Sequence, residues 1–515
     1  MTNNRNKFKT LKLVQHLKAL TSNSSIPQIA FSPAIWGKRI GRSPKFGLIA
    51  IAVLGIAAIA EASIALKQLS SDPFTNASSQ HKTQVEPDTF AYGKTIVAAF
   101  QSGRFFDGGS SGIGWATSKD GGTTWKRGFL PGITKYKGRG AFERVTDPSV
   151  AYDARHRVWL ISSLGFNEAP TPPGTVVVSR SQDGLVWTKP VSVGGGTFAD
   201  KNWTVCDNSA SSPFYGNCYT EWDDNGLGNR IKMSTSRDGG QTWSKAIDTA
   251  GQGTGLGGQP LVNQKGRVIV PIANATETAI AYFESTNGGV SWSAVKTVTP
   301  IRSHIVGGNL RSGGLPSAEI DQKGRVYVVW HDCRFRTSCS SNDIVMSIFN
   351  NGVWSPVKRI PIDGVNSGVD HFIPGIAVDP QSGVTQPARI VLTYYYYPVA
   401  NCSTNCKLYA GTVSSTDGGN SWSTPTQLAG PMSLSWLPNT SQGRMVGDYI
   451  SGSFVGRKVF PAIAVAKVPL GGTFNQAIYT TTPGLVPVAG KVRVQADPVR
   501  AEVGDRKAAI QRTTR

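Results

Sequence analysis

Charge is scarce in this chain. Asp, Glu, Lys and Arg make up only 17% of its 515 residues, against 39% apolar residues. That balance excludes a disordered chain and a coiled coil. The six cysteines include no CxxC pair and have no His at ligand spacing beside them, so a zinc site is not expected. No Walker loop, zinc-finger spacing or RNA-recognition signature occurs. Acidic residues are missing altogether from residues 1–45, where nine Lys and Arg stand, and residues 483–515 add seven basic residues against three acids. The formal net charge of +21 is therefore largely a property of the two ends, and nucleic acid is not an expected partner. Nothing in the sequence requires a cofactor or a metal.

Long apolar runs are also few. One dominates: Phe46–Leu66, with no polar side chain from Phe46 to Ala60 and Glu61 as its only charge. As a helix it would reach about 31 Å, one hydrocarbon core. Lys38, Arg39, Arg42 and Lys45 abut its start, so the positive-inside rule keeps residues 1–45 cytoplasmic and exports the residues after Leu66. Ala60-Glu61-Ala62 also reads as a cleavage site, so the exported part is either anchored to the membrane by this helix or secreted. The cysteines suit an oxidising compartment. They fall into three local pairs, Cys206 with Cys218, Cys333 with Cys339 and Cys402 with Cys406, and local disulfides are one of fifteen connectivities.

What the chain has in quantity is turns, with 58 Gly and 30 Pro. One turn recurs: SKDGGTTW at 118–125, SRDGGQTW at 236–243, STNGGVSW at 285–292 and STDGGNSW at 415–422, with shorter copies at 181–187 and 351–354. Asp or Asn can bond the following amides, Gly supplies positive φ, and Trp resumes a strand. The Asp or Asn positions are 120, 183, 238, 287, 351 and 417, a period near 60 residues. Apolar β runs such as Val176–Val178 precede these turns, and further short strands open each repeat, often at Pro: Pro87, Pro148, Pro260, Pro316 and Pro374. About 60 residues of strand, strand, strand, turn, strand is one four-stranded propeller blade. The fold expected is all-β, a β-propeller behind one N-terminal helix. Opening strands near 84, 146, 201, 258, 315, 372 and 447 count seven blades and the turns count six; seven is preferred. A strand near residues 78–84 would close the ring. The divisions are a basic tail at 1–45, the helix at 46–66, a linker at 67–83, the propeller at 84–482 and a polar tail at 483–515, with a stray strand at Lys491–Val494.

The SxDGGxTW turns resemble the Asp boxes, or BNR repeats, of the sialidase superfamily. DKNWTVCDNSASSPFYGNCYTEW, NDIVMSIFNNGVWS, DHFIPGIAVD and MVGDYISGSF are similar to stretches of bacterial secreted, exo-α-sialidase-like proteins. The resemblance covers roughly residues 84–482. It implies that Asp120, Asp183, Asp238 and Asp417 are structural and lie on the blade rim. It also implies a glycan substrate with an acidic sugar, three Arg on its carboxylate, a Tyr–Glu nucleophile pair and an Asp acid/base. The family's Arg-Ile-Pro motif has no counterpart in the first repeat, where the nearest Arg is Arg104; Arg359-Ile360-Pro361 has the letters at the other end of a blade.

Opening strands of a propeller line its channel. Equivalent positions hold Glu86, Asp147, Asp200, Lys201, Arg311, Asp370, His371, Arg444, Asp448 and Tyr449. The expected roles are Asp147 or Asp200 as acid/base, Arg311 and Arg444 as the carboxylate clamp, and Tyr449 as nucleophile, with Arg334 and Arg336 as further clamps. Asp370 beside His371 would tune the imidazole. Glu86 and Asp147, each before a Pro, also suit turn caps. Two functions stay open: a sialidase-like extracytoplasmic glycoside hydrolase, and a non-catalytic propeller that binds glycan or protein at the cell surface. A lyase on another acidic sugar is a third.

Overall fold

The computed structural model describes residues 64–167, 174–493 and 495–496. The basic tail and the expected apolar helix lie outside the described residues, except for the last three positions of that helix. Of these, Leu66 opens a strand, Leu66–Gln68. Among the described residues the molecule is all-β: three short 3₁₀ turns accompany strands throughout.

The strands fall into seven antiparallel groups in chain order, of which the first, second and last are joined by single bridges, Ser110 to Val145 and Thr83 to Gln476, into one twelve-stranded sheet. The sheets, A to G, begin with Gln80–Tyr92, Arg144–Asp153, Ala199–Cys206, Leu261–Val262, Ser317–Ile320, Asp370–Val378 and Ser451–Val455. Sheet G takes its fourth strand from the far end of the chain: Leu66–Gln68 pairs with Gln476–Thr481, Leu66 opposite Thr481. The strand that joins the ends is therefore Leu66–Gln68 rather than one at 78–84, which forms the start of sheet A and touches sheet G through a single bridge, Thr83 to Gln476. Each opening strand packs beside the next, A to B through to G, and G beside A. Single bridges link G to A and A to B, and the rest of the circuit is made by packing rather than by hydrogen bonds between sheets. It is consistent with a propeller-like fold. The residues beyond 483 are also tied down: Val492–Arg493 pairs with Ser421–Trp422, and Gln495–Ala496 with Lys358–Arg359.

The recurring turn explains itself in atoms. Ser118 Oγ donates to Asp120 Oδ1 at 2.8 Å, the amides of Thr123 and Thr124 donate to the same oxygen, and Thr124 Oγ1 reaches Oδ2 at 2.5 Å. Asp238 and Asp417 repeat this set. The hydrogen bonds from Thr124 and Ser118 hold the Asp120 carboxyl down to about 2, so the turn keeps its charge. Between sheets the core is aromatic and aliphatic. Trp222 packs with Leu160, Val176 and Val178 across sheets B and C, and Trp422 with Tyr327, Met346 and Leu392 across E and F. Each buried side chain of this size contributes roughly 2–3 kcal/mol. The Tyr394–Tyr397 run divides by strand alternation, with Tyr395 and Tyr397 in one core cluster and Tyr394 and Tyr396 at another. Disulfides join Cys206–Cys218, Cys333–Cys339 and Cys402–Cys406.

Candidate functional site

Four opening strands break register at the same place, between Val85 and Asp88, Thr146 and Ser149, Asp200 and Trp203, and Phe372 and Gly375. Each of these bulges contains a non-glycine residue in the left-handed region: Glu86 (φ 53°), Asp147 (49°), Lys201 (44°) and Ile373 (48°). Such a conformation costs on the order of 1–2 kcal/mol per residue. A bulge re-aims the side chain it carries, and at three of the four positions that side chain lines one cavity. Glu86 and Asp147 are thus bulge residues rather than turn caps.

The cavity holds about 580 Å³. Its polar lining includes Glu86, Arg104, Asp147, Asp200, Lys201, Arg311 and Asp448, with Phe166 and Phe198 as apolar wall. Arg311 forks onto Asp448: Nε donates to Oδ1 at 2.8 Å and Nη2 to Oδ2. Burial alone would raise the Asp448 carboxyl, but the Arg311 charge and hydrogen bonds hold it below the usual carboxylate range. Glu86 has the opposite fate. Burial, then the neighbouring Asp147 and Asp448, push it up to about 8. It accepts hydrogen bonds from Gln101 Nε2 and, at 3.3 Å, from the Asp448 amide. Burial and Asp147 push Asp200 up to about 6, although Oδ1 accepts the Lys201 amide at 2.9 Å. Asp147 is raised too, chiefly by burial. Lys201 stretches its Nζ over the Tyr449 ring at 3.5 Å and the Trp203 ring at 4.6 Å, without a hydrogen-bond acceptor among the described residues. One cavity therefore gathers carboxyls pushed up by burial and one held down by its Arg311 partner, a separation suited to acid/base chemistry.

The structure brings together Glu86, Asp147, Asp200, Lys201, Arg311 and Asp448 of the residues singled out by sequence. Arg444 lies outside the lining. Its side chain donates to the Leu437 carbonyl at 2.9 Å, while its own carbonyl accepts the Arg311 amide at 2.8 Å and so fixes the Arg311 loop. Tyr449 is buried beneath Lys201, its hydroxyl donates to the Pro148 carbonyl at 3.2 Å, and burial raises it well above an ordinary phenol. Asp370 and His371 belong to another cluster. Asp370 accepts the Asn342 amide at 2.7 Å, and burial drives His371 down to about 4. His371 brings a ring nitrogen within 4.8 Å of carboxylate oxygens of Asp343 and Asp363. Arg336 and Arg359 pair with both of those carboxylates, so guanidinium already balances the cluster. Arg334 pairs with Asp332. Arg104, by contrast, enters the cavity: Nη1 donates to the Gly109 carbonyl at 2.8 Å, and no carboxylate among the described residues forms a salt bridge with it. Its signal in sequence was its place at the end of the second strand of the first repeat.

No family model matches this chain, and neither does any curated protein. Among solved structures, the Hadza microbial sialidase Hz136 is similar at TM-score 0.40 and 12% identity, over 78% of this chain and 66% of its own. A PL25 ulvan lyase solved with a bound GlcA-containing saccharide is similar at TM-score 0.48 and 10% identity, over 85% of this chain and 99% of its own. Trypanosoma rangeli sialidase in complex with sialic acid is similar at TM-score 0.40 and 12% identity, over 81% and 58%. The chain thus spans less than two thirds of the length of either sialidase.

Proposed function

We propose that the seven sheets form a seven-bladed propeller and that its cavity is the active centre of an extracytoplasmic glycoside hydrolase acting on glycans with acidic sugars. One observation carries this reading: carboxyls pushed up by burial and one held down by Arg311 line the same cavity as Arg104, a guanidinium with no salt-bridge carboxylate among the described residues. In the proposed reaction Asp200 gives its proton to the departing glycosidic oxygen. Asp147, across the strand interface, receives a proton from the attacking water. Arg104 binds the substrate carboxylate, and the pairing with Asp448 holds the Arg311 guanidinium in place in the cavity wall. A tyrosine nucleophile has no place in this scheme, because no tyrosine lines the cavity and the Tyr449 hydroxyl is committed to Pro148. Export through the apolar segment at 46–66, with anchoring or cleavage, is part of the same proposal and is tested by fractionating cells that express the full chain.

Hydrolysis of a panel of fluorogenic sialosides, glucuronides and other uronides by the full chain tests the activity, beside Asp200→Asn matched by circular dichroism. Turnover abolished in the variant supports the reading. No turnover by the folded chain on any member overturns it. The rival, a glycan-binding propeller, is favoured by one feature: Arg311 and Tyr449 are already satisfied by protein partners. Binding to acidic glycans on an array without turnover would establish it.

A further inference from the structure

Behind Asp200 lies a second carboxyl, outside the cavity lining. Asp223 stands directly opposite Asp200 in the ladder between Ala199–Cys206 and Cys218–Asp224. Opposed residues of an antiparallel pair point to the same face, with Cβ atoms about 5 Å apart. Asp223 is fully buried, and neither of its oxygens has a hydrogen-bond donor among the described residues. A lone carboxylate in that position would be untenable. Two carboxylates facing each other there would be worse, because like charges in one site do not both ionise. The groups around the pair are Lys201 and Glu221 on the same two strands, Asp147 on the neighbouring opening strand, and Arg311 with Asp448 from the loops above. Glu221 is itself fully buried with both oxygens unpartnered. Carboxyls outnumber cations around the pair.

We propose that Asp200 and Asp223 share one proton, which Asp200 presents to the cavity while Asp223 serves as the positioning residue that keeps it there. The proposal rests on the hydrolase reading for its use but not for its existence. In use, the Asp200 O–H proton passes to the glycosidic oxygen as the C–O bond breaks with its electron pair to that oxygen. Water adds its hydroxyl to the sugar carbon, and its remaining proton returns through Asp147 to the pair. Burial and then the Asp200 charge raise Asp223 well above an ordinary carboxyl, in line with a retained proton.

The test is carbodiimide labelling of the full chain from about pH 5 to about pH 8, with Asp200 quantified by peptide mass spectrometry, because only the protonated acid reacts. In Asp223→Asn, Asp200 titrates alone, and its labelling falls away at lower pH than in the native chain. In the native chain labelling persists upward, leaving severalfold more Asp200 modified at neutral pH. Asp223→Glu, which keeps a second carboxyl, restores the native profile. Asp223→Asn also raises Tm at about pH 8, whereas loss of a merely structural Asp would lower it. Identical labelling profiles in the native chain and Asp223→Asn would overturn the shared proton, whether or not any glycoside is cleaved. With an active substrate in hand, the alkaline limb of kcat moves to lower pH in Asp223→Asn.

Discussion

Replacing Arg311 with Ala tests the electrostatics of the cavity without any substrate. The guanidinium forks onto Asp448, and the two side chains are 22% and 15% exposed. Removing one partner of a buried pair costs roughly 3–5 kcal/mol, and partial exposure here argues for the low end, about 3 kcal/mol at neutral pH. The cost must also depend on pH. In the native chain Asp448 is held below its unfolded value, so its contribution is present above about pH 4 and is lost as pH falls. Without Arg311, burial raises Asp448 above its unfolded value, opposed only by the more weakly acting Arg104 and Lys201 charges. The folded variant then holds a proton that the unfolded chain releases, and it loses about 1.4 kcal/mol per pH unit across that window. The difference between native and variant should therefore be small near pH 4.5 and reach about 3 kcal/mol near pH 7. Urea denaturation followed by tryptophan fluorescence at several pH values measures it. A double variant, Arg311→Met with Asp448→Leu, should recover most of the loss. A difference below about 1 kcal/mol, or one that does not change with pH, would refute the reasoning.

Glu86→Gln should stabilise the chain in alkali: native Glu86 favours folding below about pH 4.5, and that contribution is lost as pH rises through about 8, a limb missing from the variant's plot of Tm against pH. Asp417→Ala should cost about 1–2 kcal/mol through the hydrogen bonds lost to Ser421, Asn420 and Ser415, while leaving glycan turnover or binding unchanged. Gly447→Ala should be worse than its size suggests. Its φ is +131°, and a Cβ would lie 2.8 Å from the Glu86 amide nitrogen, so circular dichroism should show a lower Tm and cavity ligands should bind more weakly.

How much of the molecule was legible in the sequence depends on the kind of signal each feature leaves. The sheets were readable because each turn repeats the same Ser, Asp and Gly, whose hydrogen bonds are local. The strand that joins the two ends was not. Leu66–Gln68 has three residues, comes at the end of an apolar run, and is a strand only because Gln476–Thr481 offers it an edge. Glu86, Asp147, Asp200, Lys201, Arg311 and Asp448 were found by comparing equivalent positions, since the fold gives equivalent positions one environment. Tyr449 and Arg444 occupied such positions too, but neighbours that sequence does not show, Pro148 and Leu437, take up their polar atoms. Asp223 left a readable trace: in Cys218–Asp224 two acids alternate on one face of a strand that is otherwise fit for burial.

The bulges show where the fold stops and the chemistry starts. Glu86, Asp147, Lys201 and Ile373 share one place in their strands and one strained φ. If function had created that strain, Ile373 would have no reason to carry it, for its side chain lies in the apolar core beside Phe372 and Ile450. The bulge is better understood as a property of the architecture, one that turns a side chain out of the ladder wherever an opening strand must bend. What the sequence then chose was the side chain. Acids at two of these places and an amine at a third turn a structural kink into a charged wall, and Arg104, Arg311 and Asp448 complete it from neighbouring strands and loops.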